Sequence, residues 1–383
     1  MDKFVEYEER KWIIQEGVYY ISKRQKQKLE KPYKSAVIKD LSNTQITLDQ
    51  STQSLLQDTI EELSKLDAIY ANSQMHTPNL LLRTEALSSS QIEHYDASNR
   101  NIALAQINLK KSPQANVISA NLNALILAIN EKDILDEKFI KSIHKELMKS
   151  EISINAGEYR KELNWIGTSR ISPHGADYVP PHNNYLEKNM SELIQFINRD
   201  DIHPLVKASF SHAYFETIHP FEDGNGRVGR VLIQVILKKS GFLENIQIPI
   251  SSSLVKKMDL YTHALNEFRE GNYKKIIDLV CHSALNVIPK VYNTLDAVIH
   301  LKEDWTLRIK ARRDALVWEI IDEIIAQPVL NVKYIENKLN MNNQAVRNNF
   351  DILLKAGILT KTSKARRNVT YETKEILSLL DSF

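Results

Sequence analysis

Cysteine is nearly absent from this chain. Cys281 is the single one in 383 residues, which excludes an internal disulfide and a cysteine-based metal site. It reads as a small buried hydrophobe. No charge of one sign dominates either. The formal net charge is +2, so any contact with nucleic acid must rest on a local patch rather than on a polycationic surface. No apolar run approaches the roughly 18 residues of a membrane span. The first ten residues, Met1 to Arg10, carry charges throughout and hold no apolar signal core, so the expected location is the cytoplasm, with no membrane partner. With 43% hydrophobic and 26% charged residues, the chain has the balance of a globular protein. At about 150 residues per domain, its length predicts two or three domains.

Glycine is scarce too, with 10 in the chain, yet three of them fall within six positions, Gly224, Gly226 and Gly229. They lie in His219-Pro-Phe-Glu-Asp-Gly-Asn-Gly-Arg-Val-Gly-Arg230, which also holds a histidine, two acids and two arginines. Such a cluster marks a backbone that another group must approach closely.

Around this stretch the chain reads as helical. Leu55, Leu56, Ile60, Leu63, Leu66 and Ile69 recur at spacings of three and four. A second helix is predicted from Thr77-Pro78 through Glu93, and others over 116–129, from Asp136 through Leu147, and over 186–197 and 205–218. The helix after Arg230 has lysines in its last turn and Gly241 as its stop. Residues 157–181 differ. Trp165-Ile166 and Tyr178-Val179 flank a turn at 173–175, which predicts a β-hairpin. Residues 12–20 have strand-like composition and no assignable role. The last 75 or so residues read as three helices, over 314–325, 332–339 and 342–356, then two short β runs around the basic loop 363–367. That is the order of a winged helix-turn-helix. Arg347, Lys355, Lys361, Lys364, Arg366 and Arg367 leave DNA open as a partner.

Three chemical readings of 219–230 compete. Gly224-Asn-Gly-Arg-Val-Gly229 satisfies G-x-G-x-x-G, but a dinucleotide fingerprint needs a strand before it, and the lead-in here is helical. A Walker loop needs Gly-Lys-Ser/Thr, which is missing. The third reading follows the side chains. A Gly-Asn-Gly turn that opens a helix presents backbone N–H groups at the positive end of the helix dipole, which makes an anion site. Arg227 and Arg230 share one helix face and suit phosphate oxygens. Asp223 can hold Mg²⁺ against those oxygens. His219 suits the role of general base for a hydroxyl. Together these predict phosphoryl or nucleotidyl transfer.

At these residues the chain resembles the Fic family, whose motif H-x-F-x-D/E-G-N-G-R-x-x-R is matched at every fixed position. The resemblance implies a mainly α fold: a Fic-type helical core with a β-hairpin flap, here followed by the winged helix. It implies an N-terminal helical region over 1–110, a catalytic core over 111–300 and the winged-helix domain over 301–383. The implied activity is transfer of AMP from ATP to a Ser, Thr or Tyr hydroxyl of a protein (AMPylation). His219 would be the base and Asp223 the Mg²⁺ ligand. Gly224, Asn225, Gly226, Arg227, Val228, Gly229 and Arg230 would bind ATP. The target, the chain itself included, would present an extended segment to the flap. A homodimer is left open. Upstream, Ser89-Ser-Gln-Ile-Glu93-His94 is similar to the inhibitory motif S/T-x-x-x-E-G/N. Ser89 and Glu93 match, and His94 stands where the motif has Gly or Asn. The resemblance implies that Glu93 pairs with Arg230 and displaces the γ-phosphate. Alternatives are a Fic-type phosphotransferase, a deAMPylase in which Glu93 positions water, and a nucleotide-sensing DNA-binding regulator.

Overall fold

The structure, a computed structural model, describes residues 2–383 apart from 13–26, 28, 72–77, 110–111, 132–133, 152–153, 168–171, 313–314 and 363–368. Most of the strand-like 12–20 stretch and the whole basic loop 363–367 therefore lie outside the described residues. In chain order the elements are β1 (Val5–Arg10), β2 (Tyr33–Ile38), α1 (Gln50–Ala71), α2 (Pro78–Ile92), α3 (Asn99–Gln106), α4 (Pro113–Asn130), α5 (Glu137–Leu147), α6 (Leu186–Ile197), α7 (Pro204–Ile218) and α8 (Asn225–Lys239). Then come α9 (Ser251–Leu254), α10 (Met258–Arg269), α11 (Lys274–Arg308), α12 (Val317–Ala326), β3 (Val329–Asn331), α13 (Val332–Leu339), α14 (Asn343–Lys355), β4 (Thr360–Lys361), β5 (Thr370–Glu372) and α15 (Lys374–Asp381). The architecture is mainly α, as the spacing of apolar residues predicts. The chain divides into two compact units.

The first unit comprises residues 1–54, 132–236 and 259–280. Its centre is α7, every residue of which from Leu205 to Ile218 is buried. A helix buried on all sides must be surrounded by other elements. Phe210 is the hub of an aromatic cluster. It stacks on Phe196 at 4.3 Å and meets Phe268 edge-on at 4.8 Å and Tyr273 at 5.7 Å. α5 starts at Asp136, whose carboxylate accepts from the Phe139 N–H at 2.8 Å and caps the helix. Within 1–110, Val5–Arg10 and Tyr33–Ile38 pair as a two-stranded antiparallel ribbon, with Val5 opposite Ile38 and Arg10 opposite Tyr33, ahead of the helices from Gln50 onward. Strand β2 lies beside the flap: Ala36 N–H donates to Val179 O at 3.0 Å. The flap is held by an antiparallel bridge between Ile166 and Tyr178, within the predicted hairpin.

The second unit comprises 55–131, 237–258 and 281–383. Here α2 packs on α4, and Asn121 Nδ2 donates to Ala86 O at 3.0 Å and Ser90 Oγ at 3.1 Å. Arg83 of α2 is fully buried. One of its guanidinium nitrogens donates to Gln106 Oε1, Ala326 O and Gln327 Oε1. Burial lowers this guanidinium to about 10, still charged at neutral pH. Trp305, Ile320, Ile324, Ile335, Phe350 and Leu353 form the C-terminal core, backed by a sheet of order β3-β5-β4. Strand β3 and helix α15 are additions to the elements expected from the sequence.

Candidate active site

The site begins where α7 ends. His219 is the C-cap of α7 in the left-handed conformation (φ 50°, ψ 58°), and its N–H donates to Phe215 O at 2.9 Å. Histidine is not favoured there, at a cost of about 1–2 kcal/mol, so neighbours must impose it. Arg160 is one of them. Its Nε–H donates to His219 O and its backbone N–H to Pro220 O, both at 2.9 Å. The same guanidinium reaches Pro181 O at the end of the flap. Burial lowers Arg160 to about 10, so it too stays charged at neutral pH. Tyr178 of the flap donates its hydroxyl to Thr217 O at 2.8 Å. The flap and the end of α7 are thus tied at two points.

Past His219 the chain makes a closed loop. Asn225 clasps Phe221 twice: Phe221 N–H donates to Oδ1, and Nδ2 donates to Phe221 O, each at 2.9 Å. Asn164 Nδ2 donates to the same carbonyl at 2.9 Å. The buried ring of Phe221 stacks on His144 at 3.7 Å and 4°. His144 Nδ1 accepts from the Gly157 N–H at 2.9 Å, which leaves the proton on Nε2 to donate to Asp223 O at 3.1 Å. Burial lowers His144 to about 4, so it stays neutral and keeps both roles.

Gly224 takes φ +76°, and an added Cβ would lie 2.9 Å from both Leu147 Cδ2 and Met148 Sδ. From there α8 begins, with Val228 N–H donating back to Gly224 O at 3.0 Å. The amides of Asn225, Gly226 and Arg227 belong to the first turn, ahead of any carbonyl of their own helix. Asp223 Oδ1 accepts from Gly224 N–H at 2.6 Å, and Oδ2 stands 3.6 Å from Arg227 Nη2. The Asp223 side chain is 49% exposed, open enough to meet a cation from solvent, whereas Arg227 is fully buried. No group of three or more His, Cys, Asp or Glu side chains is placed to hold a metal among the described residues. One carboxylate still fits Mg²⁺, which is commonly held by one or two carboxylates plus substrate phosphates. Gly229 sits where α8 meets α7, and a Cβ there would lie 2.9 Å from His212 Nδ1 and 3.1 Å from Glu216 Oε1.

Val228 is buried, and so is Arg230. Arg230 Nη1 donates to Tyr261 Oη at 3.4 Å, and Tyr261 Oη hydrogen-bonds His212 Nε2 at 2.7 Å. His219 Nδ1 faces Glu216 Oε2 at 3.8 Å, with both side chains mostly buried. In the second unit, Ser89 is buried on α2, and Glu93 follows its last residue. His94 takes φ 65°, the left-handed position that Gly or Asn would fill, and Tyr95 N–H closes on Ser90 O at 3.0 Å.

The fold thus brings His219, Asp223 and the 224–230 segment together. It adds four residues that sequence reading did not single out: Arg160, His144, Asn164 and Glu216. Glu216 was legible in principle, one helical turn before His219. The other three come from distant segments and leave no local pattern.

A model of the Fic/DOC family matches residues 134–237. Those residues are a Fic domain. They hold the whole loop, the flap and helices α5 to α7. Among similar proteins, a protein adenylyltransferase Fic of Nematostella vectensis is 29% identical over 162 residues, 42% of this chain and 34% of that protein. A probable protein adenylyltransferase of Aquifex aeolicus is 31% identical over 142 residues, 37% of this chain and 39% of its own length. The matches therefore span little more than a third of these relatives. The fold is similar to that of a Fic family protein from Desulfovibrio desulfuricans, at a TM-score of 0.54 and 18% identity, covering 86% of this chain and 97% of that one. It is also similar to Fic-1 of Caenorhabditis elegans, with a TM-score of 0.51 and 17% identity, over 64% and 74% of the two chains.

Proposed function

We propose that the chain is a protein adenylyltransferase that moves AMP from ATP to a side-chain hydroxyl of a protein. The observation that carries the reading is the juxtaposition of His219, held on a left-handed cap beside Glu216, with the amide-rich start of α8 and its buried arginines. In this mechanism the phosphates lie on the amides of 225–227 and on Arg227 and Arg230. Gly224, Val228 and Gly229 shape the backbone that lets them approach. The Asn225 side chain keeps the loop closed, so its backbone amide is the part that faces phosphate. With Nδ1 turned toward Glu216, His219 Nε2 accepts the proton of the target hydroxyl. The hydroxyl oxygen bonds to the α-phosphorus, and the bond from that phosphorus to the bridging oxygen breaks, releasing pyrophosphate. Mg²⁺ on Asp223 would neutralise charge that builds on the phosphate oxygens.

Glu93, one residue past the helix that carries Ser89, is the proposed inhibitory carboxylate. The segment 301–383 is proposed as a winged helix, on its order of helices and its small sheet, and DNA contact through it is a subsidiary proposal. The test of the main reading uses ATP labelled at either the α- or the γ-phosphate. Label should enter protein from the α-position only, and only while His219 is intact. Entry from the γ-position alone would make the chain a phosphotransferase instead.

A further inference from the structure

The N-terminal ribbon and the flap enclose a second feature. Besides the Ala36–Val179 bond, Ser35 Oγ donates to Pro180 O at 3.0 Å, so β2 runs along the returning strand of the flap. Where β2 begins and the flap turns, the two leave an open cavity of about 380 Å³. Pro32, Tyr33, Pro173 and Val179 give it an apolar wall. Tyr33 meets the His174 ring edge-on at 6.2 Å, and Trp12 stands edge-on to Tyr33 at 6.1 Å and to Trp165 at 5.6 Å. His174 is fixed by a 2.7 Å hydrogen bond from Nε2 to Lys31 O. Two exposed lysines, Lys31 and Lys34, line this cavity, and no carboxylate is among its lining residues. Glu9 lies across the ribbon from Lys34, and the exposed acids Glu30 and Asp177 adjoin lining residues in sequence without lining the cavity themselves.

We propose that this cavity selects the protein substrate by taking an acidic side chain, Asp or Glu, from the same extended segment that carries the modified hydroxyl. The proposal rests on the adenylyltransferase reading for the fate of the segment, but not for its binding. An apolar wall accepts the methylenes of such a side chain, and the two ammonium groups meet its carboxylate. A lysine or arginine at the same place would face two like charges. The distance to the reacting group is set by the chain. Val179 lines the cavity, and two residues on, Pro181 O shares the Arg160 guanidinium with His219 O. An extended segment rises about 3.3 Å per residue, so it spans cavity to His219 in about three to five residues. The acid should therefore stand about three to five positions from the hydroxyl.

The experiment uses the full chain and fluorescent synthetic peptides with one central Thr. A single Glu is walked through every other position, and matched peptides carry Lys there instead. Binding is read by anisotropy, and modification by label from α-labelled ATP. One offset of three to five residues should favour Glu over Lys by about threefold to tenfold in binding. Lys31→Glu combined with Lys34→Glu should reverse that order while leaving ATP affinity unchanged. Equal binding of Glu and Lys peptides at every offset overturns the proposal, and so does an acid preference that survives the charge reversal. If no label enters any peptide or the chain itself, yet the preference in binding is present and reverses, the transfer reading fails and the acidic-segment surface stands.

Discussion

His212 offers a quantitative probe of how the site is built. It lies on the buried helix α7, with Tyr261 at 2.7 Å and Gly229 of α8 against its ring. Burial, and then the charge of Arg230, lower it to about 3. The unfolded chain takes up this proton near pH 6.5, whereas the folded one resists it down to about pH 3. The stability this group contributes is therefore complete above pH 6.5 and lost as the pH falls toward 3. The slope is about 1.4 kcal/mol per pH unit, or on the order of 3 kcal/mol between pH 6.5 and 4.5. His144, lowered to about 4, has the same sign over the same window. Two such histidines would remove about 5 kcal/mol by pH 4.5, a large share of the 5–15 kcal/mol typical of a folded domain. Urea unfolding of wild type and His212→Gln at pH 7.0, 6.0, 5.0 and 4.5 measures this. The variant should start lower at pH 7, because glutamine fills the site poorly, but its slope should be shallower by about 1.4 kcal/mol per unit. Parallel slopes would refute the burial argument.

Three further outcomes follow from the geometry. Gly224→Ala places a Cβ 2.9 Å from Leu147 and Met148 at φ +76°, so it should cost about 1–2 kcal/mol in thermal unfolding and weaken ATP binding measured by calorimetry. Arg160→Lys replaces a fork that serves the carbonyls of His219, Glu162 and Pro181, and single-turnover labelling should slow about tenfold or more at saturating ATP. His94→Gly relieves the left-handed cap at φ 65° and should stabilise the chain by up to about 1 kcal/mol, visible as a higher melting temperature.

The helices were legible because each carries its own evidence. α6 falls at Leu186–Ile197 and α13 at Val332–Leu339, where the apolar spacing places them. The loop was legible because glycine, asparagine and arginine at fixed offsets have few other uses. The helical lead-in that argued against a dinucleotide fold is α7 itself. What local pattern could not reveal is long-range pairing. Strand β3 is three residues long and gains its meaning from β5, some 40 residues away in sequence. Arg83 and Arg160 look like ordinary surface arginines until the fold surrounds them with carbonyl oxygens. His144 reads as a polar residue on an amphipathic helix, and only the tertiary structure lays its ring on Phe221.

The central claim is transfer of AMP, restrained by Glu93 and dependent on His219. Its most direct measurement incubates wild type, Glu93→Gly, and Glu93→Gly combined with His219→Ala with α-labelled ATP, and reads label on the chain and on added protein. The account predicts strong labelling by the single variant, weak labelling by wild type and none by the double variant. Equal labelling by wild type and Glu93→Gly would contradict the restraint, and labelling that persists without His219 would contradict the chemistry.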